Sequence, residues 1–265
     1  TISGDVVTIV GGGTTTITTT QAATQNYTSG TVTTSLVVNP IVTTLSNFTI
    51  PPKNFGDAPF TLSSPTSNRP GSFSYTSSNE SVATISGDVV TIVGGGTTTI
   101  TVRQAATTNY TLGTVTTSLV VSPVATTLSA FTIASKDFGS VPFTLTSPTS
   151  SSSGAYIYES SNLDVATISG TTVTIVGAGT TTIKATQVAT ASYTSGTVTT
   201  SLVVNPIVTT LSNFTIPPKN FGDAPFTLSS PTSNRPGSFS YTSSNESVAT
   251  ISGDVVTIVG GGTTT

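Results

Sequence analysis

A repeat of 83 residues is the feature that most constrains the fold of this chain. A Thr-Ile-Ser-Gly segment recurs in one register, beginning at Thr1, Thr84, Thr167 and Thr250. A Phe-Thr-Ile segment recurs with the same spacing, beginning at Phe48, Phe131 and Phe214. Repeats at a fixed period are structural units that follow one another along the chain, so the sequence predicts a tandem array.

The repeat also divides the chain. It predicts two full domains, residues 41–122 and 124–205, between the C-terminal part of one domain, residues 1–39, and the N-terminal part of another, residues 207–265. Residues 28–99 are identical to residues 194–265, whereas the intervening copy has diverged. This pattern is typical of an alternating two-type array or of a recent duplication.

The two ends of the chain leave two interpretations open. We expect a window cut from a longer continuous array. Alternatively, because residues 1–16 repeat residues 250–265, the partial domain of one molecule could be completed by that of the next. Both interpretations predict that the chain assembles with itself end to end, and exposed strands with little charge leave side-by-side association open.

Within a repeat, short runs of β-branched and aromatic residues alternate with turn residues, which is typical of an all-β sandwich. In the first full copy the predicted strands are residues 45–50, 59–63, 72–77, 82–85, 89–93, 97–105 and 113–121. Val115, Leu119 and Val121 share one face of the last strand, with Thr117 as a mismatch. In Ser86-Gly87-Asp88 we expect a hairpin turn whose glycine supplies a positive φ.

The segment from Tyr75 to Gly87, Tyr-Thr-Ser-Ser-Asn-Glu-Ser-Val-Ala-Thr-Ile-Ser-Gly, resembles the bacterial immunoglobulin-like group 2 domains. The resemblance continues through residues 89–93 and 96–101 and is looser in the first half of each repeat. Tyr75, Tyr158 and Tyr241 stand where that family often has a buried tryptophan. The resemblance implies tandem immunoglobulin-like β-sandwich domains in an extracellular spacer or adhesive role, as in intimin and invasin type adhesins and in phage or viral fibres. It implies no particular ligand.

Composition argues against several classes of function. Only 7 Lys and Arg and 10 Asp and Glu occur, with a net charge of -3, so no basic surface for nucleic acid or anionic lipid is expected. No window of 18 apolar residues predicts membrane insertion, and no signal peptide lies in this segment. His and Cys are absent, so neither catalysis nor a cofactor is expected.

Four groups of residues are candidates for sites, and each has a plainer structural interpretation. Glu80 and Asp88 are a candidate acid–base pair, but they lie on separate loops. The Gly94-Gly95-Gly96 triplet is a candidate phosphate-binding loop, but it lacks the Lys and the helix that such a loop needs. Ala178 at the matching central position suggests that a side chain is tolerated there. Asp57 and Asp223 lie near the start of their domains and could bind Ca²⁺ only as part of an acidic cluster. The sequence between domains has no such cluster. Three lysines recur at the same position of the repeat, Lys53, Lys136 and Lys219. We expect each to shield the edge of a strand. The alternative is an intramolecular amide bond to an asparagine.

Glycans are the remaining candidate partners. Asn-x-Ser/Thr sequons mark candidate N-glycosylation sites at Asn26, Asn47, Asn79, Asn109, Asn213 and Asn245. Asn47 is predicted to lie on a strand and to point outward, because its neighbour Phe48 points inward. In a sequence so rich in Thr and Ser, such triplets also arise by chance.

The linkers between repeats are short. Pro40, Pro123 and Pro206 each precede an apolar residue, which favours an extended junction packed between neighbouring domains over a flexible tether. The sequence therefore predicts a non-catalytic structural protein that forms a stiff rod or filament outside the cell or on a virion surface. The alternative is the stalk of a surface adhesin whose binding head lies outside this segment.

Overall fold

The computed structural model describes residues 1–265 and is all-β, with 25 strands and no helix. It consists of tandem immunoglobulin-like β-sandwich domains, which confirms the predicted fold class. No helix that could span a membrane is present.

Residues 1–39 form two separate antiparallel pairs. The pairs are built from β1 (Ile2–Ser3), β2 (Val6–Val7), β3 (Gly13–Gln21) and β4 (Gly30–Val38). The β3–β4 hairpin has nine paired positions, from Gly13 opposite Val38 to Gln21 opposite Gly30. Most of its side chains are exposed.

Residues 41–122 contain nine strands. They are β5 (Leu45–Ser46), β6 (Lys53–Asn54), β7 (Phe60–Thr61), β8 (Thr66–Ser67), β9 (Ser74–Ser77), β10 (Ala83–Ser86), β11 (Val89–Ile92), β12 (Gly96–Gln104) and β13 (Gly113–Ser122). One sheet has the order β6-β13-β12-β9 and the other the order β10-β11-β7, with β5 and β8 as a small additional pair. The two larger sheets face each other across the core.

Residues 124–205 repeat this arrangement. Their strands are β14 (Lys136–Asp137), β15 (Phe143–Thr144), β16 (Tyr156–Ser160), β17 (Ala166–Ser169), β18 (Thr172–Ile175), β19 (Gly179–Gln187) and β20 (Gly196–Asn205). The sheet orders are β14-β20-β19-β16 and β15-β18-β17, the same as in the preceding domain.

Residues 207–265 contain only short strands. These are β21 (Leu211–Ser212), β22 (Phe226–Thr227), β23 (Thr232–Ser233), β24 (Ala249–Ser252) and β25 (Val255–Ile258). They form a β22-β25-β24 sheet and a β21-β23 pair, and no four-stranded sheet lies opposite.

The core of each full domain comes from the inward faces of both sheets. Nine buried apolar residues form it in residues 41–122 and ten in residues 124–205. On β13, Leu119 and Val121 are buried and Val115 is half-buried, which confirms the predicted alternation. Thr117 is half-buried on the same face, so this mismatch is accommodated rather than turned outward.

The predicted strands recur in the structure with shifted ends. The turn between β10 and β11 contains Gly87 with a φ of 63°, as expected from Ser86-Gly87-Asp88. The strand predicted over residues 45–50 ends at Ser46, because Asn47 adopts a left-handed conformation with a φ of 57°. β6 and β8 were not predicted, since a pairing of two residues leaves no periodic pattern in a sequence.

Candidate functional site: the contacts between consecutive domains

The glycine-rich turns that follow the β1–β2 and β10–β11 hairpins contact the next domain. In the first junction, the backbone N–H of Gly12 donates to Oδ1 of Asn109 at 2.7 Å. In the second junction, the N–H of Gly95 donates to Oγ of Ser192 at 3.0 Å. Donor and acceptor are both displaced by one repeat, so the chain makes the same contact twice with two different polar side chains.

The two backbones approach so closely at these points that only glycine fits. A Cβ atom on Gly95 would overlap the carbonyl oxygen of Ala191, and one on Gly12 would overlap the carbonyl oxygen of Thr108. The close approach of two main chains is one of the few situations that require the absence of a side chain. The triplet is a turn between two strands, as predicted, and it is also the surface on which the next domain rests.

The inference from Ala178 that the central position of the triplet tolerates a side chain is therefore wrong for the first two junctions. At the third junction the central position of the triplet is occupied by Ala178. A cleft of about 480 Å³ is lined there by Ala178, Pro206, Ile207 and Arg235.

An aromatic pair makes a second contact across the junction between the two full domains. The rings of Phe55 and Tyr193 meet edge to face, with centroids 5.4 Å apart. Phe55 is held at the end of its own domain by its N–H, which donates to the carbonyl oxygen of Ser122 at 2.9 Å. Tyr193 is held in the next domain by a parallel bridge to Val124. Such pairs contribute about 0.5–1.5 kcal/mol beyond the area that they bury.

The apolar residues that follow the linker prolines are packed unequally. Val124 is half-buried at the junction between the two full domains. Ile41 and Ile207 are 58% and 55% exposed. The predicted packing is confirmed for Val124, at the junction that has a full domain on both sides.

The carboxylates of the candidate sites lie apart from one another or accept hydrogen bonds within their own turns. Oδ2 of Asp57 accepts the N–H of Asn54 at 2.9 Å, and Asp223 does the same for Asn220. The side chains of Glu80 and Asp88 are exposed. No group of three or more His, Cys, Asp or Glu side chains comes together. The expectation that the chain has no catalytic residue, no metal and no cofactor stays a prediction.

The recurring lysines lie at the edges of sheets in the full domains. Lys53 is on β6 and Lys136 on β14, and each of these strands is the outer strand of its four-stranded sheet. Nζ of Lys53 lies 4.6 Å from the ring centre of Phe60, and Lys136 and Lys219 sit over the rings of Phe143 and Phe226 in the same way. This cation–π contact contributes about 0.5–1 kcal/mol at an exposed site. No side-chain hydrogen bond joins these lysines to an asparagine.

All six sequon asparagines are exposed. Asn47 lies in a turn and not, as predicted, on a strand, and its equivalent Asn213 has the same backbone conformation. Their Nδ2 atoms donate to Thr66 and Thr232 at 3.2 and 3.3 Å. Oδ1 of Asn79 and of Asn245 accepts the backbone N–H two residues later at 3.1 Å. Asn109 belongs to the first junction, and Asn26 is its equivalent one repeat earlier. Glycosylation at any of them stays a prediction.

No family model matches the chain. No curated protein matches it either. The group 2 immunoglobulin-like resemblance therefore stays a prediction at the level of the family.

Solved structures align with it loosely. Drosophila N-cadherin EC1-4 is 11% identical with a TM-score of 0.27, over 91% of this chain and 74% of that one. A SusE-like surface located polysaccharide binding protein of Bacteroides thetaiotaomicron is 13% identical with a TM-score of 0.24, over 72% of this chain and 37% of that one. Domains 4-9 of the surface layer protein SbsC are 16% identical with a TM-score of 0.23, over 74% of this chain and 37% of that one. Likeness at this level says nothing about what the chain binds.

Sequence reasoning missed the junction residues. Gly95, Ser192, Phe55 and Tyr193 have no chemistry that marks them singly. The available signal was positional: a glycine triplet recurs at one point of the repeat, and a polar residue followed by tyrosine recurs at another, as in Asn109-Tyr110 and Ser192-Tyr193. That these two points belong to neighbouring domains is visible only in the fold.

Proposed function

We propose that the chain is a non-catalytic structural protein whose repeated domains form a stiff rod outside the cell or on a virion surface. The observation that carries the proposal is the direct backbone contact between consecutive domains at Gly12 and Gly95, one repeat apart. The contact is made at two successive junctions, at positions that differ by one repeat, so each domain positions the next along the chain.

Stiffness follows from the number of contacts at one junction. The domains before and after Pro123 are joined by the linker itself, by the Gly95–Ser192 hydrogen bond and by the Phe55–Tyr193 pair. Three connections at separate points fix the angle between two bodies, whereas a linker alone leaves it free. Proline at the linker limits the backbone further, because its ring fixes φ.

Placement outside the cell is supported by the resemblance to surface-borne immunoglobulin-like domains and by a surface that is polar without being charged. Charged residues make up 6% of the chain, and threonine covers the outward positions of the long strands instead. Such a surface offers nothing to nucleic acid. It leaves room for glycans and for side-by-side packing of rods.

Immunogold electron microscopy tests this function. Antibodies raised against the whole chain are applied to intact and to lysed source material, and gold is expected in rows along thin fibres on intact surfaces. Gold only after lysis would contradict the proposal. Rows that stop short of an unlabelled tip would favour the stalk of an adhesin over a rod made of repeats throughout.

A further inference from the structure

The first and the last segment of each full domain lie side by side and run in the same direction. In the first full domain, the N–H of Ile41 donates to the carbonyl oxygen of Asn109 at 2.8 Å, and the carbonyl oxygen of Ile41 accepts the N–H of Thr111 at 2.9 Å. We call these bonds the entry contact. At the other end of the same two segments, β6 lies parallel to the end of β13, and the N–H of Phe55 donates to the carbonyl oxygen of Ser122 at 2.9 Å. We call this pairing the exit contact.

The second full domain makes the same two contacts. In its entry contact, the N–H of Val124 donates to the carbonyl oxygen of Ser192 at 3.0 Å, and the carbonyl oxygen of Val124 accepts the N–H of Thr194 at 2.9 Å. In its exit contact, β14 lies parallel to the end of β20, and the N–H of Phe138 donates to the carbonyl oxygen of Asn205 at 2.8 Å. Each donor and acceptor is displaced by one repeat from its counterpart, so the arrangement belongs to the backbone of both domains.

The direction of these segments decides how tension acts on a domain. The chain enters the domain at one end of the pair and leaves it at the other, so tension pulls the first segment toward the N-terminus and the last strand toward the C-terminus. The hydrogen bonds between them lie across the strands. Sliding one segment past the other therefore loads all of these bonds together. A hairpin that is pulled apart at its open end instead loses one pair of residues at a time.

The last strand is anchored on its other side. β13 pairs with β12 at nine positions, from Gly96 opposite Val121 to Gln104 opposite Gly113. The entry and exit contacts have fewer bonds than this ladder. They are therefore the attachments that limit how much tension the domain resists.

A buried arginine reinforces the entry contact of the first full domain. Arg69 is 8% exposed, and its Nε donates to Oγ1 of Thr43 at 2.9 Å. Oγ1 of Thr43 in turn donates to the carbonyl oxygen of Thr111, and Nη2 of Arg69 donates to the carbonyl oxygen of Ala105. Removing a charged group from water has a cost, which these hydrogen bonds offset. The first segment is thus tied at one point both to the residues before β13 and to those after β12.

The exit contact of the first full domain is joined to the entry contact of the second. Phe55 belongs to the exit contact through its N–H, and its ring packs against that of Tyr193, which is bridged to Val124. Ser192 belongs to the entry contact through its carbonyl oxygen, and its Oγ accepts the N–H of Gly95. Tension therefore passes from one domain to the next through packed groups as well as through the linker.

We propose that each full domain bears tension applied along the chain, and that its entry and exit contacts carry the load. This inference goes beyond the proposed function, because a stiff rod resists bending and can do so without resisting tension. The chain then serves as a tether between two bodies that are pulled apart, and not only as a spacer that keeps them at a distance.

Single-molecule force spectroscopy on the full chain tests the direction of load. The chain has no cysteine, so handles on Asn39→Cys and Thr209→Cys pull along the chain across both full domains. Handles on Thr97→Cys and Ser118→Cys, two exposed positions of β12 and β13, pull the open end of that hairpin apart. Both unfolding events in the first direction are expected to need at least about twofold more force than unfolding in the second, because only the first loads the bonds together. Equal forces would overturn the proposal.

A proline in the entry contact tests the bonds themselves, with handles on Asn39→Cys and Thr209→Cys. Ile41→Pro removes the N–H that donates to Asn109, and Ile41 is 58% exposed, so little packing is lost. The force of one of the two unfolding events is expected to fall by about a quarter to a third, since one of the few bonds that share the load is lost. The other event, in the unaltered second domain, is the internal reference.

Val42→Pro is the matched control for this change. The N–H of Val42 makes no hydrogen bond, and its side chain is 66% exposed, so both unfolding forces are expected to stay unchanged. Unchanged forces in the Ile41→Pro chain would also overturn the proposal. If that chain lost one event altogether, its first domain would not have folded, and the comparison of the two pulling directions decides. Placement outside the cell and bending of the junction are measured separately, so neither result decides the proposed function.

Discussion

Gly95 lies against the carbonyl oxygen of Ala191 in the next domain, at a distance that leaves no space for a Cβ atom. Its N–H donates to Oγ of Ser192 from the same position. One residue thus provides both the closest backbone approach and a directional hydrogen bond between two domains. The junction is specified by main-chain geometry more than by side-chain chemistry, which is why its polar partner can be Asn109 in one junction and Ser192 in another.

Replacing the acceptor of this hydrogen bond should loosen the junction without unfolding either domain. For Ser192→Ala we expect the Gly95 amide to exchange with solvent about threefold to tenfold faster, because a net hydrogen bond contributes about 0.5–1.5 kcal/mol. The measurement is amide hydrogen exchange by NMR. Ser195→Ala, an exposed serine in the same segment, is the control. Unchanged exchange at Gly95 would show that the bond does not hold the junction.

Phe48 and Phe214 offer a comparison within identical sequence. Phe48→Ala should lower the free energy of unfolding of its domain by about 3–5 kcal/mol, because a large buried side chain is removed. Phe214→Ala should cost less than about 1 kcal/mol, since Phe214 is already 46% exposed. Native-state hydrogen exchange, read at β12 for the first variant and at β25 for the second, gives both values. Equal losses would contradict the difference in burial.

The same pair of segments shows what sequence alone can predict. The strands of the full domains follow from alternation of apolar and polar residues, as on β13, and from turn residues such as Gly87. These signals are local, so they appear in every copy. They do not say which strand becomes a partner: Tyr75 on β9 pairs with Val102 on β12, and nothing in the residues around Tyr75 indicates that pairing.

The junction could be predicted only in part for a related reason. The glycine triplet predicts a turn, and Pro123 predicts a short linker, but neither identifies the surface that approaches the turn. The pattern of residues 45–50 predicts a strand through Asn47, with Asn47 outward and Phe48 inward. The left-handed conformation of Asn47 ends the strand, and Phe48 is buried all the same. Alternation of inward and outward residues does not distinguish a continuous strand from a strand that ends in a turn at Asn47.

A buried threonine closes the turn before β10. Thr98 is 2% exposed, and its Oγ1 accepts the backbone N–H of Asn79 at 2.9 Å and lies 2.8 Å from Oγ of Ser77. Thr98→Val keeps the shape but removes the acceptor, so we expect a loss of about 1–3 kcal/mol in the free energy of unfolding. Denaturation by urea, followed by hydrogen exchange in β10 and β12, measures it.

Thr99→Val is the control for that change, because Thr99 is exposed on the opposite face of the same strand. It should be neutral within about 0.5 kcal/mol. Thr181 makes the same contacts with Asn162 and Ser160 one repeat later, so Thr181→Val should reproduce the loss in the second domain. A neutral Thr98→Val would mean that the N–H of Asn79 finds water instead.

The ion pair between Lys184 and Glu159 should contribute little. The Nζ and Oε2 atoms are 2.6 Å apart across neighbouring strands, but the side chains are 46% and 59% exposed. A double-mutant cycle with Lys184→Ala and Glu159→Ala is expected to give about 0.2–1 kcal/mol, falling further in about 1 M salt where screening is strong. A coupling above about 2 kcal/mol, insensitive to salt, would contradict this expectation.

The stiffness of the junction between the two full domains is tested most directly by the distance between two spin labels. The chain has no cysteine, so Thr91→Cys and Thr174→Cys place single labels at equivalent exposed positions of residues 41–122 and 124–205. Pulsed electron paramagnetic resonance should give one narrow distance distribution for the unaltered chain. Gly95→Ala should broaden this distribution. Gly261→Ala should leave it unchanged, because no atom of another residue lies within 4 Å of a Cβ at Gly261. A broad distribution in the unaltered chain, or a narrow one that survives Gly95→Ala, would contradict a rod made stiff by this contact.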